Sequence, residues 1–182
     1  MTKISVTDFT RLTPAALRLA EARFLFERLK DSGRADHDST LFLMTTYFDS
    51  FLFCLVSIEE MITDTQRDSI RSIPVFRFFK ALRNITTHHS ILTGIKDSKF
   101  PRPITRIVSI GVGCQVDDAA KFCVIPEKLH FIFDEIVKER PGERKTIEFA
   151  RAFLNDLSDS GRDILVADLM QLAITEIEPH VP

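Results

Sequence analysis

The feature that most limits the possible folds is a run of apolar residues between Leu41 and Ile62. At helical spacing these residues cover more than half of the circumference of one helix, which we expect to begin near Asp38 or Ser39. Such a helix is either buried in a protein core or inserted in a membrane. Asp49 stands in the middle of the run among hydroxyl side chains, and a charge there is costly in a bilayer. The run therefore predicts the central helix of a bundle, which also packs on a partner subunit.

Further segments have apolar residues at helical spacing, and Pro14 and Pro74 stand where a first-turn proline is favoured. Two β-branched segments, 104–112 and 121–125, instead predict a small β-hairpin inserted at 104–125. The fold class is therefore predicted as mainly α: one domain over 1–182, an up-and-down bundle of about six helices with an inserted hairpin. The predicted helices cover about 14–31, 38–62, 74–93, 126–139, 143–157 and 163–177, with a short helix or turn at 63–72.

Composition agrees with a globular domain, since 45% of the 182 residues are apolar and 27% are charged. Three cysteines without a C-x-x-C pair indicate neither a disulfide framework nor a zinc site. Asp8 interrupts the N-terminal stretch, which argues against a signal peptide and favours the cytoplasm. We expect no membrane span, no metal and no other cofactor.

The charge is unevenly distributed, although the net charge is only −2. The segment 66–106 contains nine basic residues and two acids, so the rest of the chain is acidic. A basic zone of this kind is what binding to a polyanion such as RNA requires. The alternative is a solvated face whose charges pair with acids elsewhere in the fold.

The basic zone is centred on a predicted amphipathic helix whose polar side carries Arg83, Asn84 and His88. A guanidinium, a carboxamide and an imidazole are the groups needed to hold a phosphate and move a proton beside it. On a helix Asn84 and His88 lie only ~40° apart, whereas Arg83 and His88 lie ~140° apart. Either Arg83 bends around the helix on its long stem, or a second copy of the helix contributes to the site. The second arrangement predicts a homodimer with the motif helix at or near the interface.

The residues Arg83-Asn84-x-x-x-His88 resemble the Arg-polar-x3-His motif of the HEPN domain family. The family pattern accepts four to six residues between Arg and His, so His88 and His89 both fit it. The resemblance implies a HEPN-like bundle and metal-independent cleavage of RNA by attack of the ribose 2′-OH, in a cleft between two protomers. It implies catalytic roles for Arg83, which braces the phosphate, for Asn84, which orients His88 or the phosphate, and for His88, which moves a proton. The hairpin at 104–125 is not part of the family's minimal bundle.

Other residues have more than one interpretation. His89 is a possible accessory group, but it falls nearer the apolar face, which favours a core or interface histidine. Glu59 and Glu60 are possible accessory acids, as some family members use one from the preceding helix; otherwise they are solvated charges at a helix end. Arg77 and Lys80 are predicted to bind substrate.

Three functional hypotheses follow. The first is an endoribonuclease of the HEPN type, acting as a toxin or phage-defence component with an antitoxin protein as a possible partner. The second is a non-catalytic HEPN-like dimer that binds RNA, a nucleotide or a protein. The third is an unrelated helical bundle in which Arg83 and His88 are structural, Arg83 pairing with a carboxylate of the bundle.

Overall fold

The computed structural model describes residues 11–32, 37–86, 105–108, 121–159, 161 and 163–182. Most of this part of the chain is helical, and the mainly α class is therefore confirmed. The α-helices are α1 (Pro14–Ser32), α2 (His37–Ser57), α3 (Asp64–Ser72), α4 (Pro74–Thr86), α5 (Pro126–Glu139), α6 (Arg144–Ser158) and α7 (Val166–Ile177). The strands are β1 (Thr105–Val108), β2 (Lys121–Val124) and β3 (Ile164–Leu165), and 3-10 turns occupy Ile58–Glu60, Pro141–Glu143 and Glu178–His180.

Local capping chemistry starts two of the helices. The Thr13 hydroxyl accepts a hydrogen bond of 3.2 Å from the backbone N–H of Ala16, directly before Pro14 of α1. Thr63 caps α3 in a capping box, in which its hydroxyl accepts from the N–H of Gln66 and the Gln66 side chain accepts from the N–H of Thr63. These contacts satisfy N–H groups that have no partner inside the helix. Thr13 therefore caps α1, and Thr63 caps α3.

Helix α4 lies at the centre of the core, in contact with α2, α3, α6 and α7. Its side chains Phe78 and Phe79 have no exposed surface. The ring centre of Phe79 is 5.5 Å from that of Phe51 and 6.2 Å from that of Phe48, both on α2. The ring of Phe78 lies 5.2 Å from that of Phe153 on α6. These buried aromatic contacts hold α4 between α2 and α6 and so determine which of its residues remain at the surface.

The three strands form one antiparallel sheet in the order β1-β2-β3. The two predicted strand segments do pair antiparallel, since Thr105 pairs with Val124 and Val108 with Lys121. The third strand was not predicted: Ile164 pairs with Val124 immediately before α7 begins. An isolated hairpin is only marginally stable in water, so β3 and α7 supply the packing that this one needs.

Two helix boundaries differ from the predicted ones. Helix α2 ends at Ser57 and continues as a 3-10 turn, while α7 begins at Val166 because the two residues before it belong to β3. The predicted end of the motif helix near Thr93 lies outside the described residues, as do the loop 94–103 and the centre of the hairpin. Within the described residues, no helix combines the length and the hydropathy that crossing a membrane requires.

Candidate functional site

Arg83 and Asn84 lie on the last turn of α4 that the structure describes, and both side chains are half-buried. The guanidinium carbon of Arg83 is 5.7 Å from the ring centre of Phe53 on α2, a cation–π distance. The Nη1 group of Arg83 lies 3.5 Å from Oδ1 of Asn84, which is long for a hydrogen bond. The guanidinium and the carboxamide of the predicted motif are therefore neighbours, beside an aromatic ring from a second helix.

The two histidines of the motif, His88 and His89, lie outside the described residues. The described part of α4 thus positions two of the three residues assigned to catalysis. The angle between Arg83 and His88, from which we infer a dimeric site, stays a prediction.

A second group of polar side chains lies on α2, on the face that carries Phe53. Thr45 and Asp49 precede Phe53 at intervals of four residues, so the three side chains follow one another along that face. Oγ1 of Thr45 and Oδ1 of Asp49 are buried and make no hydrogen bond to the described residues. Burial raises the pKa of the Asp49 carboxyl from 3.8 to about 6, because it penalises the charged form. A carboxyl group that titrates near neutrality therefore lies one helical turn from the ring that Arg83 contacts.

Asp49 was not among the predicted site residues, although its charge argued against a membrane span. A signal was present, since an acid inside an apolar helix is expected to be partly buried and to have a perturbed pKa. The contact between Arg83 and Phe53 joins residues of two different helices, so the spacing of residues along one helix could not predict it.

The two predicted accessory acids have different environments. Glu60 is exposed, as expected, but only 5% of Glu59 is exposed, so a solvated role is wrong for Glu59. The Glu59 carboxylate accepts hydrogen bonds from Nζ of Lys80 at 2.6 Å and from Nε of Arg71 at 2.5 Å. Burial raises the pKa of Glu59, but the hydrogen bonds and charges of Lys80 and Arg71 outweigh it and leave the pKa below its ordinary value. Glu59 is the centre of an ion-pair cluster that joins α3 and α4 to the turn after α2.

Arg77 and Lys80, which were predicted to bind substrate, each have contacts within the fold. Lys80 binds Glu59, as described above. The guanidinium carbon of Arg77 lies 4.2 Å from the ring centre of Phe149 on α6, and its Nε donates a hydrogen bond of 2.5 Å to the backbone carbonyl of Arg71. Both residues also line one surface groove.

Comparisons of the chain with the models of known protein families, with curated proteins and with solved structures return no match. Within the described residues, no three His, Cys, Asp or Glu side chains are grouped as the ligands of a metal ion would be. The functional argument therefore depends on the side chains of α2, α4 and α6 themselves.

Proposed function

We propose that this protein is a metal-independent endoribonuclease of the HEPN type, which works in the cytoplasm as a homodimer. The observation that carries the proposal is the pairing of Arg83 and Asn84, whose polar atoms lie 3.5 Å apart on α4. A guanidinium and a carboxamide held side by side present several N–H donors to the oxygens of one phosphate. The cations Arg77 and Lys80 on the same helix favour approach of a polyanion.

The proposed reaction is a transphosphorylation within the RNA strand. The ribose 2′-oxygen bonds to the adjacent phosphorus and loses its proton, while the bond from phosphorus to the 5′-oxygen breaks and that oxygen gains a proton. His88 acts as the general base or acid that moves one of these protons. Arg83 stabilises the charge on the non-bridging oxygens, and Asn84 orients His88 or donates to the phosphate. The products carry a cyclic phosphate and a 5′-hydroxyl, and the scheme assigns no role to a metal ion.

The proposed homodimer explains how Arg83 and His88 reach the same phosphate. Because Arg83 and His88 point ~140° apart on one helix, each site takes Arg83 from one protomer and His88 from its partner. Single variants of these two residues would then complement each other, since a mixed dimer retains one intact site. Equal mixing of two inactive variants restores about a quarter of the wild-type activity, because half of the dimers are mixed and each has one of two sites.

The decisive experiment is cleavage of a mixed RNA pool in EDTA by the purified protein and its variants. We expect wild-type protein to leave cyclic-phosphate ends, and Arg83→Ala or His88→Ala to lower the rate by about 100-fold or more. His89→Ala decides which histidine reacts. Arg28→Ala and His180→Ala are the matched controls, since they remove the same residue types from α1 and from the C-terminal turn. Cleavage that survives in His88→Ala and in His89→Ala would contradict the proposed mechanism.

A second candidate function is a non-catalytic dimer that binds RNA, and the exposed cations beside α4 are the observation that favours it. It predicts no cleavage by any variant, together with salt-sensitive binding that Arg83→Ala weakens. A toxin or phage-defence role, with an antitoxin protein as partner, predicts that expression of wild-type protein stops growth. His88→Ala would relieve that toxicity if cleavage causes it.

A further inference from the structure

A groove of about 250 Å³ lies between the first half of α4 and the beginning of α6. Every ionisable side chain on its wall is a cation. The polar wall and the exposed ring are formed by Arg71, Arg77, Lys80, Lys145, Thr146 and Phe149. A groove lined by charges of one sign concentrates ions of the opposite sign.

The cations of the groove are only partly neutralised within the fold. The Glu59 carboxylate holds Arg71 and Lys80. Arg77 and Lys145 form no ion pair with the described residues, and Arg77 instead donates to a backbone carbonyl. Two of the four cations therefore share one carboxylate, and the two without an acidic partner among the described residues line the groove from α4 and α6. The groove has the electrostatics of an anion site, with phosphate as the natural ligand for a guanidinium and an ammonium.

An aromatic ring stands beside these cations. Phe149 keeps 43% of its surface exposed, although the guanidinium of Arg77 lies 4.2 Å from its ring centre. Exposed aromatic rings next to a basic groove are the surfaces on which single-stranded nucleic acid stacks its bases. The volume of the groove is below the range that encloses a whole organic ligand, so it suits one unit of a longer chain.

We infer that this groove binds one nucleotide unit, with the phosphate between Arg77 and Lys145 and the base on Phe149. Arg77 of the groove and Asn84 of the motif lie on one face of α4, since they are seven residues apart. Seven residues correspond to about 10 Å of helix and a rotation of only ~20°. The inference depends on the proposed RNA substrate for the identity of the polymer, but not on cleavage.

The chain contains a matched control for the ring and its cation. On α1 the guanidinium carbon of Arg28 lies 5.0 Å from the ring centre of Phe24, and 53% of Phe24 is exposed. This pair has the same chemistry as Arg77 and Phe149, but it does not line the groove. Truncation of Phe24 or Arg28 therefore measures the effect of losing an exposed arginine–phenylalanine pair alone.

The test is equilibrium binding of a fluorescent, 2′-O-methylated RNA octamer, followed by anisotropy between 50 and 200 mM salt. The methyl group removes the attacking 2′-OH, so binding is measured whether or not the protein cleaves RNA. We expect Phe149→Ala to weaken binding about tenfold and Lys145→Ala to lower the slope of log affinity against log salt by about one. Phe24→Ala and Arg28→Ala should stay within about twofold of wild type.

Competition with uridine monophosphate, inorganic phosphate and a phosphoserine peptide identifies the ligand. Displacement by uridine monophosphate places a free nucleotide in the groove, and displacement by unlabelled RNA alone places a strand there; both support the inference. Stronger displacement by the phosphoserine peptide than by uridine monophosphate or by unlabelled RNA would overturn the inference.

Equal affinities of wild type, Phe149→Ala and Lys145→Ala would also overturn the inference. Phe149→Leu, which keeps an apolar side chain in place, guards against a loss of binding through misfolding. If wild-type protein does not cleave ordinary RNA but Phe149→Ala and Lys145→Ala still weaken binding, the proposed catalysis is wrong and the inferred binding site is supported.

Discussion

Two carboxylates ten residues apart have opposite electrostatic environments. Glu59, in the turn after α2, is almost fully buried, yet Lys80 and Arg71 keep its pKa below the ordinary value. Asp49, in the middle of α2, is half-buried, and burial alone raises its pKa to about 6. Burial disfavours the charge in both cases, so the direction of the shift is decided by whether another helix brings a cation to the carboxylate.

The difference separates a structural role from a candidate functional one. Glu59 holds α3 and α4 against the end of α2, and its charge is needed there. The charge of Asp49 is disfavoured in the folded protein, on the helix face that carries Phe53, the ring that Arg83 contacts. Carboxylates with raised pKa values are concentrated at functional sites because they can exchange a proton near neutral pH. Three changes test this contrast.

The largest effect is expected when Glu59 loses both of its cations. The double variant Arg71→Met with Lys80→Met leaves a buried carboxylate without a cationic partner, which should lower the free energy of unfolding by about 2 kcal/mol at pH 7. Burial then raises the pKa of Glu59, so the loss should shrink as the pH falls and the carboxylate is protonated. Urea denaturation between pH 4 and pH 8 measures both effects.

Two further variants control this experiment. Adding Glu59→Gln to the double variant should restore most of the lost stability, because the buried charge is then gone. Lys138→Met removes a cation from an exposed surface pair with Glu135 and should leave stability nearly unchanged. A double variant as stable as wild type would show that the cations do not offset the burial of Glu59.

Features encoded over a few residues were predictable from the sequence. Thr13 with Pro14 and Thr63 with Gln66 place helix starts, since a cap acts within four residues. The pairing of β1 with β2 was predictable because both strands contain β-branched or aromatic residues and lie close in sequence. The two-residue strand β3 shows no periodicity, and it is recognised only by its pairing with β2 some forty residues earlier.

The environment of the site was less predictable because it depends on packing between distant segments. Glu59 was expected to be solvated, but α3 and α4 cover it with Arg71 and Lys80, twelve and twenty-one residues later. The ring of Phe149 beside Arg77 comes from α6. Residue types and spacing identified Arg83, Asn84 and Arg77 as candidates, but not the partners that surround them.

An intermediate effect is expected at Asp49. Its folded-state pKa of about 6 lies above the ordinary 3.8, so the folded protein holds this proton more tightly than the unfolded chain does. That contribution to stability is complete below about pH 4 and is lost as the pH rises through 6. Asp49→Asn should therefore match wild type near pH 4 and be more stable by about 1 kcal/mol at pH 8, a figure reduced for the exposed part of the side chain. A variant that is less stable at pH 8 would show that the Asp49 charge is compensated in the fold.

The smallest effect is expected at Phe53, the α2 ring that Arg83 contacts. The Arg83 guanidinium lies 5.7 Å from Phe53, whereas that of Arg77 lies 4.2 Å from Phe149. A double-mutant cycle of Arg83→Met with Phe53→Leu should give a coupling energy of about 0.5 kcal/mol. The cycle of Arg77→Met with Phe149→Leu should give more, because cation–π attraction weakens with distance. A larger coupling at Phe53 would mean that Arg83 is held in the bundle as firmly as Lys80 is held by Glu59. Arg83 would then count as part of the scaffold, whereas a weak coupling would mean that the contact with Phe53 does little to fix the orientation of its guanidinium.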